Sequence, residues 1–418
     1  MPNERRFGRS AGPDVSPHHI FTRHIIACIG AFALIALAGC TEPPAPAATS
    51  APPVVLAVPF DQAVLSAANI VLSTAPAAAT GASRQVVVID PLVDGVTGEQ
   101  STATRAIADR IVALARERYP QFDIQPFSPQ AVSRAPYVMV GTFTPVNAQG
   151  QTTGDREAYR FCLVMADLRS GKTVAKGVAR AQPRGVDATP TAFFRDSPAW
   201  TEDAQIKGYI NTCQASRVGD PISPVYLNGI LAAAMISNAT DAYAGGRYRE
   251  ALDLYTSARA TQGGDQLRVF NGLYLANLKL GRQVPAAEAF GDAVQHGIAN
   301  NRLGVKFLFR PGSTAFEPGP PYELWLNQIA TRTAPGTTCL QVTGNTSKTG
   351  APALNERLSQ LRAETVKTRL ESIAPALRDR LIAHGAGGQA TLVGTGADNL
   401  TDALDRRVEF KVIPSCRS

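Results

Sequence analysis

Histidine is scarce: the 418 residues hold five, and only His296 and His384 lie beyond residue 39. A histidine-built metal site is excluded by that shortage, and no metal or cofactor is expected. No long Lys/Arg run occurs either. The 41 basic and 34 acidic residues give a net charge of +7, and Arg5, Arg6, Arg9 and Arg23 stand against only Glu4 and Asp14 at the start, so the remainder is close to +5. Nucleic acid is therefore not expected as a partner. No apolar run reaches the ~20 residues of a membrane span. What is present is a 44% hydrophobic, 18% charged chain, which excludes wholesale disorder. At ~100–200 residues per domain, its length predicts two to four domains. The 30 prolines and 35 glycines are unevenly spread, as linkers require.

The longest apolar stretch, Ile25 to Ala38, holds fourteen uncharged residues and follows Arg23-His24. It fits the hydrophobic region of a secretory signal. It ends Leu37-Ala38-Gly39-Cys40, which resembles the lipobox of bacterial lipoproteins. That resemblance implies cleavage before Cys40 and acylation of its thiol and new amino terminus. The alternative is a plain secretory signal with an incidental Cys40. Two or three acyl chains would hold stably in a bilayer. Thr41 stands where the family's inner-membrane retention signal is Asp, so the resemblance implies the outer membrane, facing the periplasm. The long polar lead before the stretch suggests that translation starts downstream of Met1. Residues 1–39 thus read as signal peptide and 40–58, rich in Pro and Ala, as a tether.

Cysteine usage agrees with export. Beyond Cys28 and Cys40 there remain Cys162, Cys213, Cys339 and Cys416, an even number for an oxidising compartment. Four cysteines allow three pairings. Domain logic favours Cys162–Cys213 and Cys339–Cys416, with four unpaired core thiols as the alternative.

Three regions follow, giving a multidomain reading. Residues 59–225 carry a short apolar run, Val86 to Ile89, stopped by Asp90-Pro91, then helical spacing at Ile107, Ile111, Val112, Leu114 and Ala115. Tyr137 to Val140 reads as a strand, and Tyr159–Met165 and Thr173–Lys176 flank the hairpin signal Arg169-Ser170-Gly171-Lys172. This predicts an α/β domain. The sequence VVVIDP, the ERYPQF helix, YVMVGTF and the strand ending DLRSGK are together similar to the periplasmic α/β domain of secretion-channel, flagellar and penicillin-binding-protein-activating lipoproteins. The resemblance implies protein contacts rather than catalysis.

Residues 226–300 contain a repeat. Gly246, Ala251, Tyr255 and Ala258 recur 35 residues later as Gly281, Ala286, Phe290 and Ala293. Small residues let antiparallel helices approach, the aromatic fills the gap, and glycine turns the chain. The pattern resembles tetratricopeptide repeats, of period ~34. An unrelated pair of helical hairpins is the alternative. Two copies are fewer than the ~3 that stand alone, so packing on a neighbouring domain is expected.

In residues 303–415, strands are expected at Val305–Phe309, Cys339–Gly344, Ala390–Gly394 and Arg406–Val412, with helices at Tyr322–Ala330 and from Asn355 onward. The order is βαβαββ. The segments G-N-T-S-x-x-G (from Gly344), N-E-R-L-S-Q-L-R-A (from Asn355) and D-R-R-V-E (from Asp405) resemble the OmpA-like peptidoglycan-binding domain. Its motif reads Gly-x-Thr-Asp-x-x-Gly, then N-x-x-L-S-x-x-R-A, then N-R-R-V-E. The resemblance implies a stem-peptide site at Thr346, Ser347, Asn355, Leu358, Arg362 and Arg406. In that family the Asp and the Arg of R-A grip the ammonium and carboxylate of diaminopimelate, a match of point charge and guanidinium fork. Arg362 is kept, but Ser347 replaces the Asp and Lys348 beside it repels an ammonium. The loss is worth about 1–2 kcal/mol of attraction. No Asp or Glu lies between Thr346 and Asn355, and Asp405 replaces the family's Asn. Diaminopimelate binding is then weakened, redirected or absent.

Apparent active sites dissolve on inspection. Gly171-Lys172-Thr173 sits between strands and lacks the first glycine of a phosphate loop. Lys348-Thr349-Gly350 has no S-x-x-K or S-D-N to accompany it. His384, placed near a helix end, has no partner motif. No enzyme is expected. The reading is an outer-membrane lipoprotein linked to peptidoglycan and presenting domains to periplasmic proteins. The alternative is an envelope or secretion scaffold whose OmpA-like domain no longer binds wall.

Overall fold

The strands of the first half are runs of consecutive apolar residues because both faces of their sheet are covered. The computed structural model describes residues 56–76, 84–152, 156–301, 303–392 and 401–416. The apolar stretch at 25–38, Cys40 and most of the 40–58 segment lie outside these residues. The first element of the described residues is helix α1 (Phe60–Thr74), which the sequence pattern does not predict. Strand β1 (Gln85–Ile89), helix α2 (Thr102–Arg118), strand β2 (Phe122–Pro126) and the short α3 (Pro129–Val132) follow. Strands β3 (Tyr137–Val146), β4 (Ala158–Asp167) and β5 (Lys172–Ala181) complete a sheet of order β2-β1-β3-β4-β5. β1 is parallel to both β2 and β3, whereas β3, β4 and β5 form an antiparallel meander. Ser101 starts α2 through a reciprocal cap: its hydroxyl accepts from Thr104 N, and the Thr104 hydroxyl accepts from Ser101 N.

Alternate residues divide between two cores. Val87, Met139, Phe161 and Leu163 meet Ala63, Ala67, Ile107 and Ile111 on the α1/α2 face. Helix α4 (Ala192–Asp196) follows β5, and on the other face of the sheet Val88, Val138, Val140 and Val164 meet helices α5 (Ala204–Gln214) and α6 (Pro224–Asn228), chiefly through Ile206, Tyr209 and Tyr226. Cys162 of β4 is bonded to Cys213 of α5 across this second core, with Cα atoms 6.1 Å apart.

Helices α7 (Ile230–Ala244), α8 (Tyr248–Arg259), α9 (Leu267–Lys279) and α10 (Gln283–Ala299) form two hairpins. Gly246 and Gly281 sit at equivalent turns with φ of +74° and +73°. The following Arg247 and Arg282 N–H groups reach back to Ala242 O and Asn277 O, closing each preceding helix. Tyr255 is fully buried against Gly272, where a Cβ would lie 2.4 Å from its ring.

Strand β6 (Leu303–Leu308), helix α11 (Tyr322–Thr333), strand β7 (Cys339–Gly344), helix α12 (Pro352–Ile373), strand β8 (Leu381–Gly385) and strand β9 (Arg407–Ile413) give a second sheet of order β6-β9-β7-β8. The βαβαββ order is the expected one, but its third strand is Leu381–Gly385, not Ala390–Gly394. Ala390–Leu392 forms bends and turns, and residues 393–400 lie outside the description. Pro375 ends α12 two residues earlier at Ile373, because the residue before a proline is pushed out of the helical region. His384 therefore lies in β8, not near a helix end. Cys339, opening β7, is bonded to Cys416 beyond β9, with Cα atoms 5.2 Å apart.

The three regions share their interiors, and residues Val54–Ser418 make one compact unit. Phe193 and Phe194 of α4 belong to the same core as Tyr255, Phe290, Trp325 and Leu340. Trp325 of α11 stacks on Phe290 and donates its indole N–H to Tyr274 Oη at 2.8 Å. The helical pair is thereby capped by the first helix of the C-terminal domain. Segment 198–200 adds to β6: Lys306 N donates to Pro198 O and Trp200 N to Gly304 O. The Lys306 ammonium bonds the Glu99 carboxylate and Phe194 O, and lies 4.2 Å from the Trp200 ring centre. Both charges are buried. Burial pushes the Glu99 carboxyl above its ordinary pKa, and Lys306 opposes that rise.

Candidate functional site

Two parallel strands end side by side, and a helix is pressed across their ends. Gly344 of β7 and Gly385 of β8 are register partners. A Cβ on Gly344 would lie 1.9 Å from Ser359 O, and one on Gly385 2.7 Å from Gln360 N. Only glycine lets both strand ends meet the α12 backbone, which explains the first glycine of the G-N-T-S segment. Ser359 locks this arrangement from inside the helix. Its buried hydroxyl donates to Glu356 O at 2.7 Å and accepts from Gly387 N at 2.9 Å.

The loop after β7 is fastened at several points. Thr346 N donates to Gly387 O, and Ala386 N donates to Gly344 O, each at 2.9 Å. Asn355, in the first turn of α12, donates from Nδ2 to Ser347 O at 3.3 Å and Thr349 O at 3.1 Å. The Ser347 hydroxyl shares a hydrogen bond of 2.8 Å with that of Thr349. Asn345 Oδ1 and Thr346 Oγ1 are buried without a hydrogen-bond partner in the structure.

Arg362 lies at the centre of the frame, and 0% of it is exposed. Its Nε donates to Ser313 O, one terminal nitrogen to Asn345 O and the other to Arg310 O, each at 3.0 Å. The guanidinium also lies 5.2 Å from the Phe309 ring centre. Arg406 is equally interior: Nε donates to Phe309 O at 3.0 Å, and a terminal nitrogen pairs with Glu317 at 3.4 Å. Asp405 accepts from Leu392 N, and Arg407 pairs with Glu409 at 2.7 Å. Leu358 is half-buried on α12.

Beside this frame opens a cleft of about 560 Å³. Its walls are Lys348 and Gly350 of the loop, Pro352, Asn355 and Glu356 of α12, and His384 to Gln389 at the end of β8. Of the six positions expected to hold a stem peptide, Asn355 alone lines the cleft. Thr346, Ser347, Leu358, Arg362 and Arg406 do not line it. Lys348, Glu356 and His384 also line the cleft, and none of them is among those six positions. Glu356 was adjacent to a motif asparagine, but its place on the wall follows only from the docking of α12 on the strand ends. Among the described residues no group of His, Cys, Asp and Glu could hold a metal ion, and no helix is long and apolar enough to cross a membrane.

Fold and frame together define a four-stranded α/β domain with a loop-walled cleft at the carboxyl ends of two parallel strands. No family model matches the chain, and no curated protein matches it. Among solved structures, it is similar to the peptidoglycan-associated lipoprotein of Burkholderia pseudomallei at 24% identity, over 26% of this chain and 89% of that one, with a TM-score of 0.23. It is similar to the cell wall anchor of the T6SS from Pseudomonas aeruginosa at 25% identity, over 27% and 79% of the two chains, with a TM-score of 0.23. For E. coli LpoB the values are 12% identity, 43% and 96% coverage, and a TM-score of 0.21. These scores are too low to carry a function, which rests instead on the residues of the cleft.

Proposed function

We propose that this chain is an outer-membrane lipoprotein, anchored through acylated Cys40, whose C-terminal OmpA-like domain binds the peptidoglycan stem peptide. Its α/β and tetratricopeptide-like regions then present surfaces to periplasmic protein partners. The observation that supports the reading is the convergence of two separated motif segments, that from Gly344 and that from Asn355, on one cleft. Gly344, Asn355, Ser359 and Arg362 each hold the loop or helix that forms its walls. Co-sedimentation of the whole mature chain with purified sacculi tests it, and a chain that stays in the supernatant at low salt overturns it. Cys40→Ser tests the anchor: the protein should leave the membrane fraction or accumulate as precursor, and unchanged fractionation with unchanged mass would defeat it.

A second reading, a scaffold that no longer holds wall, is favoured by one specific observation. Arg362 and Ser347, the two positions matching the family's ligand-gripping pair, are both turned to partners inside the fold. It predicts no sacculus binding at any ionic strength.

A further inference from the structure

The edge of the N-terminal sheet gathers positive charge. β4 and β5 are antiparallel, and their register sets Arg160 opposite Arg180, Cys162 opposite Val178 and Val164 opposite Lys176. Lys176, Val178 and Arg180 alternate along β5, so all three share one face with Arg160. Like charges set opposite one another weaken strand pairing. Helix α5 packs on this face over β4, where Cys213 is bonded to Cys162, but β5 is the edge strand and adds no residue to that core. Val178 is accordingly 48% exposed. The three cations are half-buried, and their acceptors are neutral. Arg160 donates to Gln214 Oε1 at 3.0 Å, Arg180 to Asn147 O at 2.9 Å and Ala148 O at 3.2 Å, and Lys176 to Ser216 O just past the end of α5. Burial and the facing Arg180 hold the Arg160 pKa below its ordinary value. Burial and Arg160 do the same to Lys176, with Asp220 opposing.

We infer that this face of β5 docks an acidic segment of a protein partner, Arg160 and Arg180 taking one carboxylate, Lys176 a second, and Val178 an apolar side chain between them. The inference rests on the reading that the α/β region presents a surface to periplasmic proteins, and it names that surface. Among the described residues, each guanidinium spends one terminal nitrogen on the protein. Nε and the other terminal nitrogen stay available for a forked contact with a carboxylate. The spacing selects the ligand. At a rise of ~3.3 Å per residue, Lys176 and Arg180 are about 13 Å apart along the strand, too far for one small anion to span. Two carboxylates four residues apart on an extended segment match that span. An anionic lipid surface fits less well, because it recruits clusters of about four to eight flexible cations, and here three are fixed and half-buried.

The test is fluorescence anisotropy of a labelled, end-capped peptide, Thr-Glu-Thr-Val-Thr-Glu-Thr, titrated with the whole mature chain. The same peptide with glutamine for both glutamates is the control, and vesicles of phosphatidylglycerol are the competing surface. The glutamate peptide should bind, and the glutamine peptide should bind at least tenfold more weakly. Arg160→Gln and Lys176→Gln should each weaken the glutamate peptide about tenfold, as loss of one charge-assisted contact requires. Arg160→Lys should keep most of the affinity. Arg160→Gln also removes a like-charge repulsion, so its melting temperature should not fall below the parent's; a residue needed only for the fold would lower it. If Arg160→Gln does not fold, Lys176→Gln reads its own contact alone. Equal binding of the two peptides, or variants that bind as the parent does, overturns the inference. So does a parent that ignores the peptide and binds the vesicles through Arg160, which would make the face a lipid surface. Sacculus sedimentation of the same chains separates the two readings. A parent that sediments but ignores the peptide defeats this inference and leaves wall binding standing, and a parent that binds the peptide but not sacculi does the reverse.

Discussion

The N-terminal sheet buries a carboxylate, Asp90, at the end of β1, and the C-terminal domain buries a guanidinium, Arg362, at the back of its cleft. Asp90 receives the Tyr226 hydroxyl at 2.8 Å, while Arg362 has three carbonyls around it. Burial pushes the Asp90 carboxyl from 3.8 to about 7, with Arg268 and the Tyr226 hydroxyl opposing the rise. The contrast reflects what each group can do. A carboxylate relieves its desolvation by taking up a proton, whereas a guanidinium stays charged and must be given acceptors. The first region therefore holds a group whose charge depends on pH, and the second a rigid strut.

Removing the strut should have the largest effect. Arg362→Ala strands the carbonyls of Arg310, Ser313 and Asn345 and leaves a cavity, at a cost of about 5 kcal/mol in urea unfolding. A loss below about 1 kcal/mol would mean that water replaces the guanidinium.

The junction between the two regions comes next. Lys306→Met leaves Glu99 charged and buried, costing about 3–4 kcal/mol, whereas adding Glu99→Leu should recover most of that loss. Equal melting of the single and double variants would show that the pair contributes only packing.

Asp90 gives a smaller effect of opposite sign. Its folded pKa lies above the unfolded value, so the folded state binds more protons between pH 4 and 7. Stability then falls as pH rises from about 4 to about 7 and levels off above. Asp90→Asn should flatten that slope and stabilise the chain at pH 8 by about 2–3 kcal/mol, since Asn still accepts from Tyr226 while its amide needs a new partner. A parent chain with flat stability across this window would place the Asp90 pKa near its ordinary value.

The smallest change is expected at the motif position itself. Ser347→Asp should alter stem-peptide affinity less than about threefold, because position 347 faces Thr349 and not the cleft. A tenfold gain would show that charge reading lies at the motif position.

Much of the fold is local enough to read from residues alone. Apolar runs such as Val86–Ile89 and Tyr137–Val140 are strands because each face of the sheet must be covered. The repeat was legible because Gly246 and Gly281 need a left-handed backbone, and Ala251/Tyr255 and Ala286/Phe290 need matching space. The strand after α12 was misplaced for an equally local reason. Leu381, Ile382 and Gly385 continue a helical spacing from Leu370 and Leu377, which disguises the stop at Pro375. Helix α1 lies beside a Pro/Ala-rich segment that masks its pattern, and it packs close on β5 because Gly177 leaves room, a Cβ there falling 2.2 Å from Ala67 O.

By itself, the sequence determined most of the strands and the paired glycine turns at Gly246 and Gly281, since these follow from backbone preference and side-chain periodicity within a few residues. It also supplied the motif that frames the cleft. Only the tertiary structure decided that the three regions share one interior, that α11 caps the helical pair, and that Arg362 faces inward while Glu356 and Lys348 face the cleft. Those outcomes depend on which distant surfaces exclude water together, and no short window of residues contains that information.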